Sequence, residues 1–403
     1  MSLWESYKKV SFFKKIFIAL LMGLLAGILF REKILFIKPL GQIFLNLLRM
    51  VALPLIIVNL IAGISSLNDP KILGRVGFKI FVYYTFTTIC ALIVGIFTAF
   101  LLKPGLGFVF KETYDKAIEK VPSLGETVVN LIPNNIFSAL SAGRFDQIIL
   151  FSLFIGIAIL FLPKPQKDYL AGHFEMLAAL FRKLVWIAMG FAPIGVFALM
   201  ATTVGAYGTA LAGFVAKYLT ATYTSILIML VIYTIILMLL ARVSPLEFYK
   251  GAAPVFITTI TTSSSLATVP ISLAAADDLG VPRSISGFTI PLGSQMNKDG
   301  NGIMLALSFV AVAQAVGVPL PLPVLVKAIF LGLILTTGAG GVPGGGIVTI
   351  AIIVDSFGLP LEMVAIIAGI FGLIDMGLTM LNCVGDLVGT LIVSRSEEKR
   401  LRA

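Results

Sequence analysis

Apolar runs of the length that a bilayer demands recur along this chain from Ile16 to Val393. The hydrocarbon core takes roughly 20 apolar residues per spanning helix. So many such runs, end to end, leave no room for a soluble domain with a single anchor. Composition agrees: of 403 residues, 58% are hydrophobic and 12% charged, and the mean hydropathy is +1.04. These values lie far outside the range of soluble globular chains. The chain is expected to be one all-α integral membrane domain.

A net charge of +10 raises the question of nucleic acid, but the basic residues sit in the gaps between apolar runs. Lys8, Lys9, Lys14 and Lys15 flank the start of the first run, and Lys71, Arg75 and Lys79 lie between the second and third. Lys164, Lys167, Arg182 and Lys183 lie between the fourth and fifth, Arg242 and Lys250 follow the sixth, and Arg395, Lys399, Arg400 and Arg402 follow the last. Every second gap is basic, which is the positive-inside pattern with both termini cytoplasmic. The expected partner is the lipid bilayer of a prokaryotic plasma membrane, not nucleic acid. The first run, Ile16 to Phe30, has the length of a signal peptide. No small-residue cleavage site follows it, so it reads as an uncleaved first helix.

Cys90 and Cys383 both lie inside apolar segments and offer neither a disulfide framework nor metal-ligand spacing. The one histidine, His173, reads as a solvated residue beside a cytoplasmic loop. No nucleophile–base pair or metal cage can be assembled, so no catalytic residue and no cofactor is expected. The chain is not expected to be an enzyme.

The first half reads as conventional spans near 12–30, 37–65, 78–103, 145–163, 172–204 and 208–241, with a polar outer segment from Lys103 to Gln147. The second half is different. One apolar stretch, Ala253 to Leu279, is broken by TTITTSSSLATVP; another, Leu322 to Leu359, is broken by TTGAGGVPGGG. Clustered hydroxyls, Gly and Pro forfeit helical hydrogen bonds. Non-helical backbone at membrane depth survives only where it is buried in protein or lines a cavity. Two such segments in corresponding positions, each followed by a long apolar helix, point to inverted repeats at about 245–316 and 322–394 with a midplane binding site.

The last helix carries Asp375, Thr379, Asn382 and Asp386. At about 100° per residue these positions fall within roughly a 60° arc, so one face is polar. Two carboxylates on one face of an intramembrane helix are costly unless a cation or another partner meets them. A packed polar seam between helices is the plainer alternative. The preceding long helix contains IPLGSQMNKDGN, Ile290 to Asn301, where Pro291, Gly293 and Gly300 favour a break that frees carbonyl oxygens beside Asn297 and Asp299. Carbonyl, amide and carboxylate oxygens suit a hard cation. The same residues also serve to cap two helix ends. Ser263, Ser264 and Ser265 offer hydroxyls and, at a hairpin tip, backbone amides for a carboxylate. GAGGVPGGG loosely echoes a phosphate loop, but no strand precedes it, and a flexible hairpin tip fits better.

LRMVALPL and GRVGFKIFVYY, followed by APIGVFAL, SSSLATVP, IPLGSQMNKDG, TTGAGGVPGGG and DMGLTMLNCVGDLVGT in that order, resemble the dicarboxylate/amino acid:cation symporter family, the glutamate transporters and their compact archaeal aspartate-transporting relatives. The resemblance covers nearly the whole chain. It implies about eight transmembrane helices plus two re-entrant helical hairpins in a homotrimer. A scaffold, about 12–65 and 104–204, would hold a transport domain, about 78–103 and 208–394, that moves like an elevator. The transport domain would comprise helix 3, helix 6, hairpin 1 (245–283), helix 7 (284–316), hairpin 2 (322–359) and helix 8 (361–394). The resemblance further implies that Asp375 holds a substrate amino group, and that Thr379 and Asn382 meet its carboxylate and side chain. Ser264 and Ser265 would supply first-hairpin contacts, and Val342 to Gly346 the second-hairpin gate. One sodium site would take Gly293, Asn297, Asn382 and Asp386, and another Tyr84, Thr87, Thr88, Asn297 and Asp299.

Several positions depart from the family pattern. Leu378 stands where acidic amino-acid carriers hold an arginine for the substrate's second carboxylate, Ser263 and Met376 where a supporting arginine occurs, and Phe371 where an aspartate braces it. A buried carboxylate without a partner is costly, so a neutral amino acid is expected. Lys298 replaces a methionine. Its ammonium near Asp299 or Asp386 would take the place of a bound cation, since unit charges about 4 Å apart interact by about 4 kcal/mol at an effective dielectric near 20. The coupling ion is then sodium at reduced number, or a proton. Gln295 and Ala339 weaken a further sodium site. Three alternatives remain open at this stage: Lys298 facing water with ordinary sodium coupling to an amino acid or dicarboxylate, an anion channel, and transport of a decarboxylated or sulfonated substrate.

Overall fold

The computed structural model of the protein describes residues 12–65, 73–108, 129, 132–142, 144–207, 210–338 and 345–401. Among these residues every regular element is a helix. A helix satisfies each backbone N–H and C=O within its own segment, which is what hydrocarbon surroundings require. In chain order they are α1 (Phe12–Phe30), a 3₁₀ stretch (Arg31–Ile37), α2 (Lys38–Ser65), α3 (Leu73–Leu102), α4 (Ile136–Ser141), α5 (Phe145–Leu160), α6 (Lys164–Gly190) and α7 (Ala192–Tyr207). Then come α8 (Ala210–Ile236) with a π turn (Leu237–Ala241), α9 (Pro245–Thr262), α10 (Ser265–Asp278), α11 (Arg283–Met296), α12 (Asp299–Ala315), α13 (Leu322–Gly338), α14 (Gly345–Ser356) and α15 (Glu362–Leu401).

Among the described residues, three stretches are long and apolar enough to cross a membrane by length and composition: Arg75–Leu102, Gly213–Ala241 and Glu362–Glu397. The expected single span over 172–204 is instead two helices that part at Phe191. Pro193 is the physical reason: it disfavours helical backbone at the residue before it, yet fits the first turn of a new helix, where its missing N–H is not needed. His173 lies exposed on α6, its ring stacked on Tyr169.

The first interrupted stretch of the second half is broken, as its composition dictates. α9 stops at Ser263, which takes a left-handed φ of 47°, and Ser264 opens α10 as its N-cap. α13 and α14 flank residues 339–344, so Val342 lies outside the described residues. A pair of helices followed by a longer helical stretch thus occurs in both units among the described residues, the first such stretch being itself divided into α11 and α12.

α1 runs along α7, and α2 packs on α5, α6 and α7. α3 lies along α12, while α15 is surrounded by α8, α9, α10, α11 and α12. These closest pairings rest on glycines where a Cβ would collide: Gly23 against the Phe197 carbonyl, Gly27 against Ala201 and Val204, Gly95 against the Ile303 carbonyl. At one end of α15, Glu397 accepts from both Arg75 and Lys79 of α3, fastening the two helices. The core of the molecule is α15, whose Asn382, Asp386 and Thr390 face the broken helix α11–α12.

Candidate functional site: a break in one helix threaded by another

α11 ends at Met296 because Asn297 turns to extended backbone (φ −79°, ψ 110°), although its N–H still reaches the Gly293 carbonyl at 2.8 Å. The extended residue carries the next amide away from the Ser294 carbonyl. The Lys298 ammonium takes that carbonyl instead, Nζ donating to Ser294 O at 2.6 Å. α12 then starts at Asp299, its first turn closed by Gly302 N donating to Lys298 O at 2.9 Å. The side chain of Lys298 is only 3% exposed, so it points into the protein, not to water. Among the described residues its ammonium forms no contact ion pair, and it lies within electrostatic reach of Asp386 and Asp375.

α15 threads the break at three glycines. A Cβ on Gly293 would collide with the Tyr84 hydroxyl and the Asp386 carboxylate, one on Gly300 with the Leu378 backbone, and one on Gly385 with the Tyr233 hydroxyl and Asn297 Nδ2. Side-chain amides then lock the crossing. Gly300 N donates to Asn382 Oδ1 at 2.7 Å, capping α12, and Asn297 Nδ2 donates to Asn382 O at 3.1 Å. With its oxygen already accepting from Gly300 N, Asn382 retains both amide hydrogens and one oxygen lone pair for a ligand.

The carboxylates have different surroundings. Asp299 is wholly buried and accepts from two hydroxyls, Thr88 Oγ1 at 2.6 Å and Tyr233 at 2.5 Å. Asp386 is 2% exposed and its Oδ1 has no hydrogen-bond donor; Asn297 Oδ1 is unpartnered in the same way. Buried polar atoms are nearly always paired, so these two oxygens stand out as unsatisfied among the described residues. Asp375 is partly accessible, and Thr379 Oγ1 donates to its Oδ1 at 3.4 Å. Asp299, Asp375 and Asp386 thus share this region with one buried lysine, Lys298.

Among the other expected residues, Tyr84 donates its hydroxyl to Thr289 O at 3.1 Å and its carbonyl accepts from Thr87 Oγ1 at 3.3 Å. Both groups tie α3 internally or to α11. Ser264 Oγ accepts from Ala267 N at 3.2 Å as the N-cap of α10, and Ser265 is buried beside it. Leu378 is fully buried in the apolar core. Gly346, in the first turn of α14, abuts Met304 and Phe371, so the Phe371 ring seats the second hairpin against α15. Among the described residues no three His, Cys, Asp or Glu side chains gather as a metal cage.

Sequence reasoning missed Tyr233 and Tyr83. The Tyr233 hydroxyl donates to Asp299, and among the described residues the buried Tyr83 hydroxyl has no hydrogen-bond partner. A tyrosine inside the apolar run LIMLVIYTII was the available signal. Nor does Lys298 meet Asp299, one of the two partners expected for it, because hydroxyls already hold both oxygens of that carboxylate.

Comparison with known proteins gives this arrangement its context. Residues 12–396 match the model of the sodium:dicarboxylate symporter family. A proton/sodium-glutamate symport protein of Geobacillus stearothermophilus is 29% identical over 405 residues, covering 97% of this chain and 95% of that one. A C4-dicarboxylate transport protein of Deinococcus radiodurans is 31% identical over 403 residues, covering 96% and 89%. A proton/glutamate-aspartate symporter of Escherichia coli is 29% identical over 374 residues, covering 90% and 86%. With a matching model over almost its full length, and a polar centre where a broken helix meets the last one, the chain is a membrane transport protein, not an enzyme, and belongs to the sodium:dicarboxylate symporter family.

Proposed function

We propose that the protein is a secondary active transporter for a neutral amino acid, in which Lys298 permanently supplies one of the cations that would otherwise be co-transported. The observation that carries this reading is the buried Lys298 ammonium, seated on the Ser294 carbonyl that the helix break sets free. An ammonium on a liberated carbonyl, beside Asp386, makes the contacts that a coupling cation makes. The unpartnered Asn297 Oδ1 and Asp386 Oδ1 support one remaining ion, so coupling is reduced, not lost.

The substrate side of the reading rests on Asp375 and Leu378. Asp375 is the accessible carboxylate for an α-ammonium, and Asn382 presents amide hydrogens to a carboxylate. Leu378, Met376, Ser263 and Phe371 leave no cation for a second carboxylate, and burying one unpaired is costly. The relatives carry glutamate or C4-dicarboxylates in their names; those substrates belong to those proteins. Packing is compatible with an elevator: α1, α2 and α5–α7 pack on one another, while α3, α8–α12 and α14 pack on α15, which α1 and α7 also meet. A homotrimer in a prokaryotic plasma membrane, both termini cytoplasmic, completes the proposal.

Uptake of radiolabelled neutral amino acids into proteoliposomes, with sodium or choline outside, tests it. The expected result is saturable uptake with counterflow and a sodium Hill slope near one or below. A steep sodium requirement, with aspartate as preferred substrate, overturns both halves of the reading. Current that never saturates with substrate would instead favour a channel.

A further inference from the structure

A cavity of about 1420 Å³ opens between α1, α7 and α8, closed at the back by Ile370 of α15. It exceeds the roughly 300–1,000 Å³ of an ordinary small-molecule site. Its walls are apolar, with Leu24 and Ile28 from α1, Val204 from α7, and Leu211, Val215 and Leu219 from α8. The α1–α7 wall is sealed where Gly27 meets Val204 and where Gly205 meets the Arg31 carbonyl. Beside the opening, Leu29 and Phe30 are largely exposed, which in a membrane protein means exposed to hydrocarbon. The occupant therefore enters from the bilayer.

The rim has a different chemistry. Arg31, Glu32 and Lys33 line it, two cations against one carboxylate. Arg31 holds a φ of 47°, a backbone conformation that side chains other than glycine seldom adopt. These cations are also unexplained by membrane topology. Arg31, Lys33 and Lys38 fall in a gap that the alternation of basic gaps would leave uncharged. An apolar crevice that ends on paired cations is complementary to one kind of membrane molecule.

We propose that this cavity binds one anionic glycerophospholipid, an acyl chain between α1, α7 and α8 and the phosphate at Arg31 and Lys33. The guanidinium fork matches two phosphate oxygens, and the lysine adds a point charge. The lipid lies between helices that the elevator reading places in different bodies, so it would slow their sliding. That consequence rests on the elevator reading; the binding does not.

Native mass spectrometry of the full-length protein, exchanged against equal amounts of dioleoyl phosphatidylglycerol and dioleoyl phosphatidylcholine, tests the site. Wild type is expected to retain one phosphatidylglycerol per chain with about tenfold preference, the factor set by roughly one charge-assisted contact. The double variant Arg31→Gln, Lys33→Gln should hold the two lipids about equally. Val215→Trp, which fills the crevice, should lose the retained lipid. Equal retention of both lipids by wild type, or undiminished preference in the double variant, overturns the proposal. The double variant decides the matter if Val215→Trp misfolds. Absence of lipid preference in a wild type that takes up neutral amino acids refutes the site alone, and lipid preference in a wild type without such uptake refutes only the transport reading.

Discussion

Replacing Lys298 with methionine removes a buried charge while keeping the length and apolar stem of the side chain. Two effects follow. The Ser294 carbonyl loses its donor, at a cost of about 1.5–3 kcal/mol for a hydrogen bond from a charged group. Asp386 and Asn297 Oδ1, unpartnered already, lose the repulsion that the ammonium directs at any cation bound between them. Two unit charges about 5 Å apart interact by about 3 kcal/mol at an effective dielectric near 20. Removing that repulsion should raise sodium affinity by about 10²-fold. A second sodium should also bind at the vacated Ser294 carbonyl. Sodium titration of uptake in proteoliposomes should therefore show a midpoint about 10²-fold lower and a Hill slope greater by about one. Isothermal titration of the detergent-solubilised protein gives the same comparison without transport. Identical sodium curves for wild type and Lys298→Met would refute the surrogate-cation reasoning, because the electrostatic change at the site is unavoidable.

Three further outcomes follow from the same geometry. Gly293→Ala places a methyl group against the Tyr84 hydroxyl and the Asp386 carboxylate; uptake should fall at least tenfold, with a lower midpoint in thermal unfolding, and normal uptake would show that α15 does not need its close approach. Tyr233→Phe removes one of two donors from buried Asp299 and should cost about 1–3 kcal/mol, read as a lowered unfolding midpoint; combined with Thr88→Val the losses should exceed their sum, since the carboxylate is then left bare. Leu378→Arg with Phe371→Asp, the pairing that the resemblance associates with acidic substrates, should let aspartate compete with the neutral substrate; if aspartate still fails to inhibit in a folded, sodium-responsive variant, the pocket excludes acidic side chains by more than its missing cation.

The places where the chain abandons helix were largely legible in advance, because composition alone forces them. Ser263 and Ser264 break the first hairpin, and the turn between Ile290 and Asn301 breaks the long helix. The polar face of α15 was equally legible, since a spacing of three and four residues needs no tertiary knowledge. What could not be read was which polar group satisfies which. Tyr233 reaches Asp299 across 66 positions of chain, and no local pattern announces such a contact. Lys298 bonds a carbonyl only four residues back, yet that carbonyl is free solely because Asn297 is extended. The division at Phe191 was obscured for the opposite reason: both flanking segments are apolar, and hydropathy does not register a proline that begins a new helix.

The three glycine crossings of α15 through the broken helix have an evolutionary consequence. Backbone meets backbone there, or meets a side chain that other bonds hold in place, so the path of the chain is fixed independently of the residue at position 298. On the coupling proposed above, exchange of methionine for lysine at that position would alter the ions of uptake while leaving these crossings in place. Families of this construction should therefore diversify in the ions they spend far sooner than in the shape they keep.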